Sequence, residues 1–115
     1  MTTINGKIVL GLTEQVKIFD IRGSKTKECL ARIDTGATKS SIDASLASDL
    51  GLATIYSKFV KSAHGRKMRP IVVAEIEIAG KKMKEEFSVA DRSHMKYPVL
   101  IGQNILKDFI IDPSK

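Results

Sequence analysis

An all-β domain that closes as a β-barrel, with one or two short helices, is the fold this sequence predicts. Three observations carry that expectation. Apolar runs of strand length recur along the chain, separated by turn residues. The run 70–79 alternates, with Val72, Ala74, Ile76 and Ile78 on one side and Val73, Glu75 and Glu77 on the other. Helical signals are confined to two stretches, 41–52 and 103–108.

Taken in order, residues 4–10 and 15–21 are apolar enough for strands, and Arg22-Gly23-Ser24-Lys25 turns the chain into a third strand, 27–33. Residues 34–38 are too small and polar for a core strand. In 41–52, Ile42, Leu46 and Leu50 share one helical face, Asp43 can cap the start and Gly51 suits the end. A short strand, 59–62, leads into a polar, basic loop at 63–69. The alternating run then turns at Gly80-Lys81 into 82–89, and the two form a hairpin. After a polar loop at 91–98, Val99-Leu100-Ile101 reads as a buried strand broken by Gly102. A short helix, 103–108, and a last strand, Phe109-Ile110-Ile111, complete the fold.

A chain of 115 residues has room for one domain, 1–115. Folding at that length buries roughly two-thirds of the unfolded surface, enough for one core. With 43% hydrophobic and 28% charged residues, the composition is that of a soluble globular protein. No apolar run approaches the ~20 residues of a membrane span. Nor does the N-terminus show a basic patch, apolar stretch and small-residue cleavage site in succession. One cysteine, Cys29, excludes an intramolecular disulfide and fits a reducing compartment, so the expected location is cytoplasmic. The net charge of +6 permits an anionic partner. Aromatics make up only 5% and Trp is absent, so the stacking residues of a single-strand platform are missing. Neither nucleic acid nor a membrane is an expected partner.

The strongest local feature runs from Ala31 through Asp34-Thr35-Gly36-Ala37 to Ile42. An apolar strand delivers an acid onto a tight turn of small residues. Gly36 allows a sharp turn and the close approach of a ligand or second chain. Thr35 offers a hydroxyl to a neighbouring loop. Taken alone, Asp34 reads first as an Asx-turn that bonds its own backbone and does nothing else. The second feature is Val99-Leu100-Ile101-Gly102, an apolar strand ending in glycine before Gln103-Asn104-Ile105-Leu106.

Together these motifs resemble the retropepsin-like aspartic proteases, the family that includes retroviral proteases, over about residues 27–111. More narrowly, the chain is similar to small prokaryotic proteins labelled ATP-dependent zinc proteases, which share the closing Ile111-Asp112-Pro113. The resemblance implies a retropepsin-like closed barrel (the acid protease fold) and an aspartic-type endopeptidase. It makes Asp34 the catalytic carboxylate and Thr35, Gly36 and Ala37 the active-site loop. Ile101 and Gly102 become the floor, and Ala63, His64, Gly65, Arg66, Lys67 and Met68 the flap that covers substrate. Two such carboxylates about 3 Å apart share one proton. The ionised one takes a proton from water while the other polarises the scissile carbonyl. This chain holds one Asp-Thr-Gly, so the implied enzyme is a homodimer.

Two features depart from the retroviral pattern. The flap has one glycine, Gly65, so a stiffer element or a different way of closing is expected. The chain stops at Lys115, soon after the last strand, leaving the N-terminal strand as the available intersubunit element. No cofactor is expected. His64, His94 and Cys29 lack zinc-site spacing, and no phosphate-binding Gly-x-x-x-x-Gly-Lys-Ser/Thr loop is present. Cys29 reads as a core side chain, Met68 and Met95 as packing residues, and Asp91-Arg92-Ser93-His94 as a turn. Lys58, Lys61, Arg66, Lys67 and Arg69 fall within twelve positions with no intervening acid. They read either as a solvated face or as a field that attracts acidic peptides. Two rival functions remain open here, a non-catalytic peptide-binding or dimerisation module and a metal-dependent peptidase.

Overall fold

The computed structural model describes residues 2–62 and 65–115. Its first departure from expectation is at the start of the chain. The strand 4–10 is broken by Asn5-Gly6, at φ 53° and 79°. Thr3–Ile4 (β1) therefore folds back on Lys7–Leu10 (β2), with Ile4 opposite Lys7. Asn-Gly takes two successive left-handed conformations readily, which suits a two-residue hairpin. Next, Thr13–Phe19 (β3) pairs antiparallel with Thr26–Ile33 (β4). Asp20 fixes the reversal by accepting from the backbone N–H groups of Ser24 at 2.7 Å and Lys25 at 3.2 Å.

The helix expected at 41–52 is only half present. Ser40–Asp43 is a strand (β5) and the helix (α1) is Ala44–Asp49. Asp43 does cap it, accepting from Ser45 N–H at 3.1 Å. Ile42 is buried from the strand, because both edges of β5 are claimed by neighbours. Beyond it, Thr54–Ser62 (β6) and Gly65–Ile78 (β7) are far longer than expected, and 65–69 belongs to β7 instead of a loop. The next turn is Ala79-Gly80, at φ 51° and 80°, so Lys81 already belongs to Lys81–Ala90 (β8). Val99–Ile101 (β9), Gln103–Leu106 (α2) and Phe109–Ile111 (β10) follow as the sequence predicts, with a shorter second helix.

Hydrogen bonding orders the strands β3-β4-β9-β5-β8-β7, and β7 returns to β3 from Val16 opposite Ile78 to Phe19 opposite Glu75. That last pairing closes a six-strand barrel. The alternation of β7 works as predicted: Val72, Ala74, Ile76 and Ile78 are buried inside, and Val73, Glu75 and Glu77 are half-exposed. Each of the valine and isoleucine side chains is worth roughly 1.5–3 kcal/mol when removed from water. Cys29 packs against this core, as expected, and burial pushes its thiol pKa up. A small sheet, β1-β2-β10, lies beside the barrel, with β10 parallel to β2. No helix of the described residues is long and apolar enough to cross a membrane.

Strand β7 outruns its partner β8, whose pairing begins only at Ile71 opposite Ser88. Upstream of that point β7 pairs with β6, from Ser57 opposite Pro70 to Ser62 opposite Gly65, and with no other strand of the described residues. The result is a two-stranded hairpin projecting from the barrel. A register shift between Thr54 and Tyr56 marks where the hairpin joins the wall, and there Ile71 and Val72 are both buried.

Candidate active site

The Asp34 loop is held from below by the strand that the sequence singled out. Strand β9 lies between β4 and β5, parallel to the first and antiparallel to the second. The chain leaving β4 at Ile33 must therefore loop over β9 before returning as β5. The Asp34 N–H donates to Ile101 O at 2.9 Å, so the floor strand fixes the acid's backbone. On the far side of the loop, Gln103 N–H donates to Ala37 O at 2.8 Å, and Gln103 Nε2 donates to Thr35 O at 2.8 Å.

Gly102 is what lets the loop sit this close. A Cβ there would stand 2.5 Å from Lys39 O and 2.8 Å from Ala37 O, both backbone atoms that cannot swing aside. Its N–H donates to Ser40 Oγ at 2.9 Å, and that hydroxyl donates to Asn104 Oδ1 at 2.8 Å. Asn104 Oδ1 also accepts from Ser40 N–H, while its Nδ2 donates to Glu86 O at 3.1 Å. Ser40 is fully buried and its hydroxyl is satisfied. This buried polar network joins β5, α2 and β8 beneath the loop and rigidifies it. Neither Ser40 nor the role of Asn104 was expected from the sequence; a serine directly after the loop and an asparagine two positions past Gly102 were the available signals.

Asp34 itself is half-buried. Its Oδ1 accepts from Gly36 N–H at 3.0 Å, so the Asx-turn exists and leaves the other carboxylate oxygen without a partner among the described residues. Thr35 and Gly36 are exposed beside it, and the Thr35 hydroxyl has no partner among the described residues. The remaining turn-forming acids are committed locally. Asp20, Asp91 and Asp112 each bond a following serine, and Asp43 accepts from Ser45 and Arg92 N–H groups. Those serine contacts hold the pKa values of Asp20, Asp91 and Asp112 below the ordinary range.

A cleft of about 590 Å³ opens between the Asp34 loop and the base of the projecting hairpin. Gly36, Ala37, Thr38 and Lys39 form one wall, and Lys58, Phe59, Val60, Lys61 and Arg69 the other. Asp34 borders it through Gly36 and is not itself a lining residue. Ile101 and Gly102 lie beneath, while Leu100 reaches the cleft. Of the expected flap residues, Ala63 and His64 lie outside the described residues. Gly65, Arg66, Lys67 and Met68 are on the hairpin and are not cleft-lining residues themselves, whereas Lys61, Val60 and Phe59, opposite Arg66, Lys67 and Met68, are. Met68 and Met95 are not packing residues: they are exposed, the first because its strand has left the barrel, the second at the mouth of the cleft. Arg66 instead stacks over Phe59, 4.9 Å from the ring centre.

One ion pair ties the two walls together. Lys39 Nζ donates to Glu86 Oε1 at 2.6 Å, and the Tyr56 hydroxyl donates to the same oxygen. Lys39 comes from the Asp34 loop, Tyr56 from β6 and Glu86 from β8. The Lys39 bond, and after it the Tyr56 bond, lowers the Glu86 pKa; the Glu86 bond raises that of Lys39. Arg92 is the charged residue most deeply placed, 8% exposed, on the loop after β8. Among the described residues, no group of three or more His, Cys, Asp or Glu side chains is placed to hold a metal ion.

A closed barrel whose Asp-Thr-Gly loop is threaded by an Ile-Gly strand, with a hairpin over the cleft, is the retropepsin-like architecture. The chain belongs to the family described as RimB-like, "Retropepsin-like aspartic endopeptidase RimB", whose model matches residues 52–115. That segment holds the hairpin, the cleft wall and Gly102, and begins downstream of Asp34. Solved structures agree on the fold. EIAV protease, solved with the inhibitor HBY-793, is 20% identical with a TM-score of 0.62, over 93% of each chain. The simian foamy virus (mac) protease is 19% identical with a TM-score of 0.60, over 83% of this chain and 91% of that one. A Legionella pneumophila protein of unknown function (DUF785) is 21% identical with a TM-score of 0.63, over 94% and 95%. No curated protein matches the chain.

Proposed function

We propose that this protein is a homodimeric aspartic endopeptidase in which Asp34 and its copy in a second chain activate water against a peptide bond. The observation that carries the reading is the seat of Asp34. Its backbone is pinned by Ile101, one carboxylate oxygen is oriented by Gly36, and the other stays free at the edge of a peptide-sized cleft. The family membership and the likeness to viral proteases support the same chemistry. The other turn-forming acids of the chain are bound up in their own turns, which supports a second copy as the source of the partner carboxylate. The unpartnered hydroxyl of Thr35 is available to bond across such an interface.

In the dimer, a water between the two carboxylates loses its proton to the ionised one and attacks the carbonyl carbon, while the protonated one hydrogen-bonds the carbonyl oxygen. The Gly102 contact keeps the loop from drifting, and positioning of this kind governs rate. Substrates are acidic peptides in this reading. Lys39, Lys58, Lys61, Arg69 and Arg92 line the cleft, against one acid, Asp91, which is turned onto Ser93. Such a field draws anions in and weakens as salt screens it.

The experiment is Asp34→Asn, which keeps size and polarity and removes the base. Cleavage of Glu-rich peptides should fall by at least about a thousandfold, with circular dichroism and melting unchanged. A variant that cleaves at the wild-type rate ends the dyad reading. A wild type that binds such peptides and never cuts them supports a binding module on the same fold.

A further inference from the structure

Arg92 is a buried cation without a counter-ion. It is 8% exposed, yet among the described residues its side chain makes one hydrogen bond, Nε to Tyr97 O at 3.0 Å, and no ion pair. Asp43 accepts from its backbone N–H at 2.7 Å and leaves the guanidinium alone. Buried charges are ordinarily paired, because an unpaired one forfeits its hydration for nothing. Among the described residues no fully buried side-chain nitrogen lacks a partner, so the two terminal nitrogens of Arg92 must reach open space. The open space beside Arg92 is the cleft, which it lines together with Gly36, Ala37, Arg69 and Leu100.

We propose that Arg92 is a specificity-determining residue of this cleft, receiving a substrate carboxylate on the fork of its two terminal nitrogens. The proposal rests on the peptidase reading for the identity of the ligand as a peptide. Two nearly parallel N–H donors match the two oxygens of a carboxylate, and a guanidinium held by packing loses little freedom on binding one. The Tyr97 contact fixes the Nε edge and so aims the opposite edge outward. Removal from water, then Arg32 and Arg69, push the Arg92 pKa down, while Asp43 and Asp34 oppose them. The site thus holds excess positive charge that an incoming anion relieves. Exposed Lys58 and Lys61 attract acids at a distance; Arg92 is the buried cation among the described lining residues, able to distinguish Glu from Gln.

The carboxylate can belong to a side chain or to a peptide C-terminus, and binding separates the two. Asp34→Asn protein, which cannot cut, is titrated at high salt with three matched fluorescent peptides. One is end-blocked and Glu-containing, one end-blocked with Gln, and one has Gln with a free C-terminus. One of the carboxylate peptides is expected to bind about tenfold or more tighter than the blocked Gln peptide. Adding Arg92→Gln should bring that ratio to within about twofold. Should Arg92→Gln fail to fold, Arg92→Lys decides, since it keeps charge and stem but cannot fork, and is expected to lose most of the ratio. No preference in the parent, or a preference that survives either substitution, overturns the proposal. Because binding is read without turnover, a wild type that cleaves nothing would sink the peptidase reading and leave this measurement intact.

Discussion

Gly102 shows how one residue sets the geometry of the site. Its hydrogen atom faces the carbonyls of Ala37 and Lys39, and the loop that carries Asp34 closes over it. Gly102→Ala should destabilise the fold by about 3 kcal/mol, the upper end of overpacking costs, because backbone must move. Denaturant unfolding measures this; a loss below about 1 kcal/mol would mean the loop has more play than the distances allow. This glycine and Asp34 were legible in the sequence, since a small-residue turn and a strand-ending glycine are local patterns. Arg92 was read only as part of a turn. Its burial depends on Asp43, Tyr97 and the cleft wall, and no local pattern encodes that.

Among the elements, the projecting hairpin and β5 were the least legible. A hairpin that has left the barrel has no core face, so 65–69 lack the alternation that betrays a half-buried strand. In β5, Ile42 sits at helical spacing from Leu46 and Leu50, and the two partner strands that override this spacing are distant in sequence. The hairpin is tied back by Tyr56 and Lys39 meeting on Glu86. Glu86 has a lowered pKa in the folded chain, so this tie adds stability above its unfolded value near 4.5 and loses it as pH falls through the lower, folded one. The melting temperature of wild type should therefore exceed that of Glu86→Gln at neutral pH, and the gap should shrink below about pH 4.5. The turn acids Asp20, Asp91 and Asp112 titrate alike in both proteins and cancel from the comparison. A gap that does not shrink as the pH is lowered below about 4.5 would show that packing, not charge, holds the tie.

For the whole molecule, the strand content and the barrel class followed from turn spacing and alternation, while the closure of β7 onto β3 did not. Long-range pairing leaves no mark within a window of a few residues. The proposed dimer is the claim that belongs to this scale. Specific activity should fall as the protein is diluted through its dissociation range, and sedimentation should show two chains associating over the same range. A rate strictly proportional to protein concentration, from a species that sediments as one chain, would contradict it.

The outer side of β6 has a further consequence. This strand bonds only to β7 among the described residues, so its other side offers a row of unmatched amide and carbonyl groups. Such a row is a template on which any extended chain, including another copy of itself, can grow. Lys58 and Lys61 and the irregularity beside Tyr56 are features that discourage stacking of this kind. The charges proposed to draw acidic substrates in thus also guard against aggregation, and engineering them away to alter selectivity would remove that protection as well.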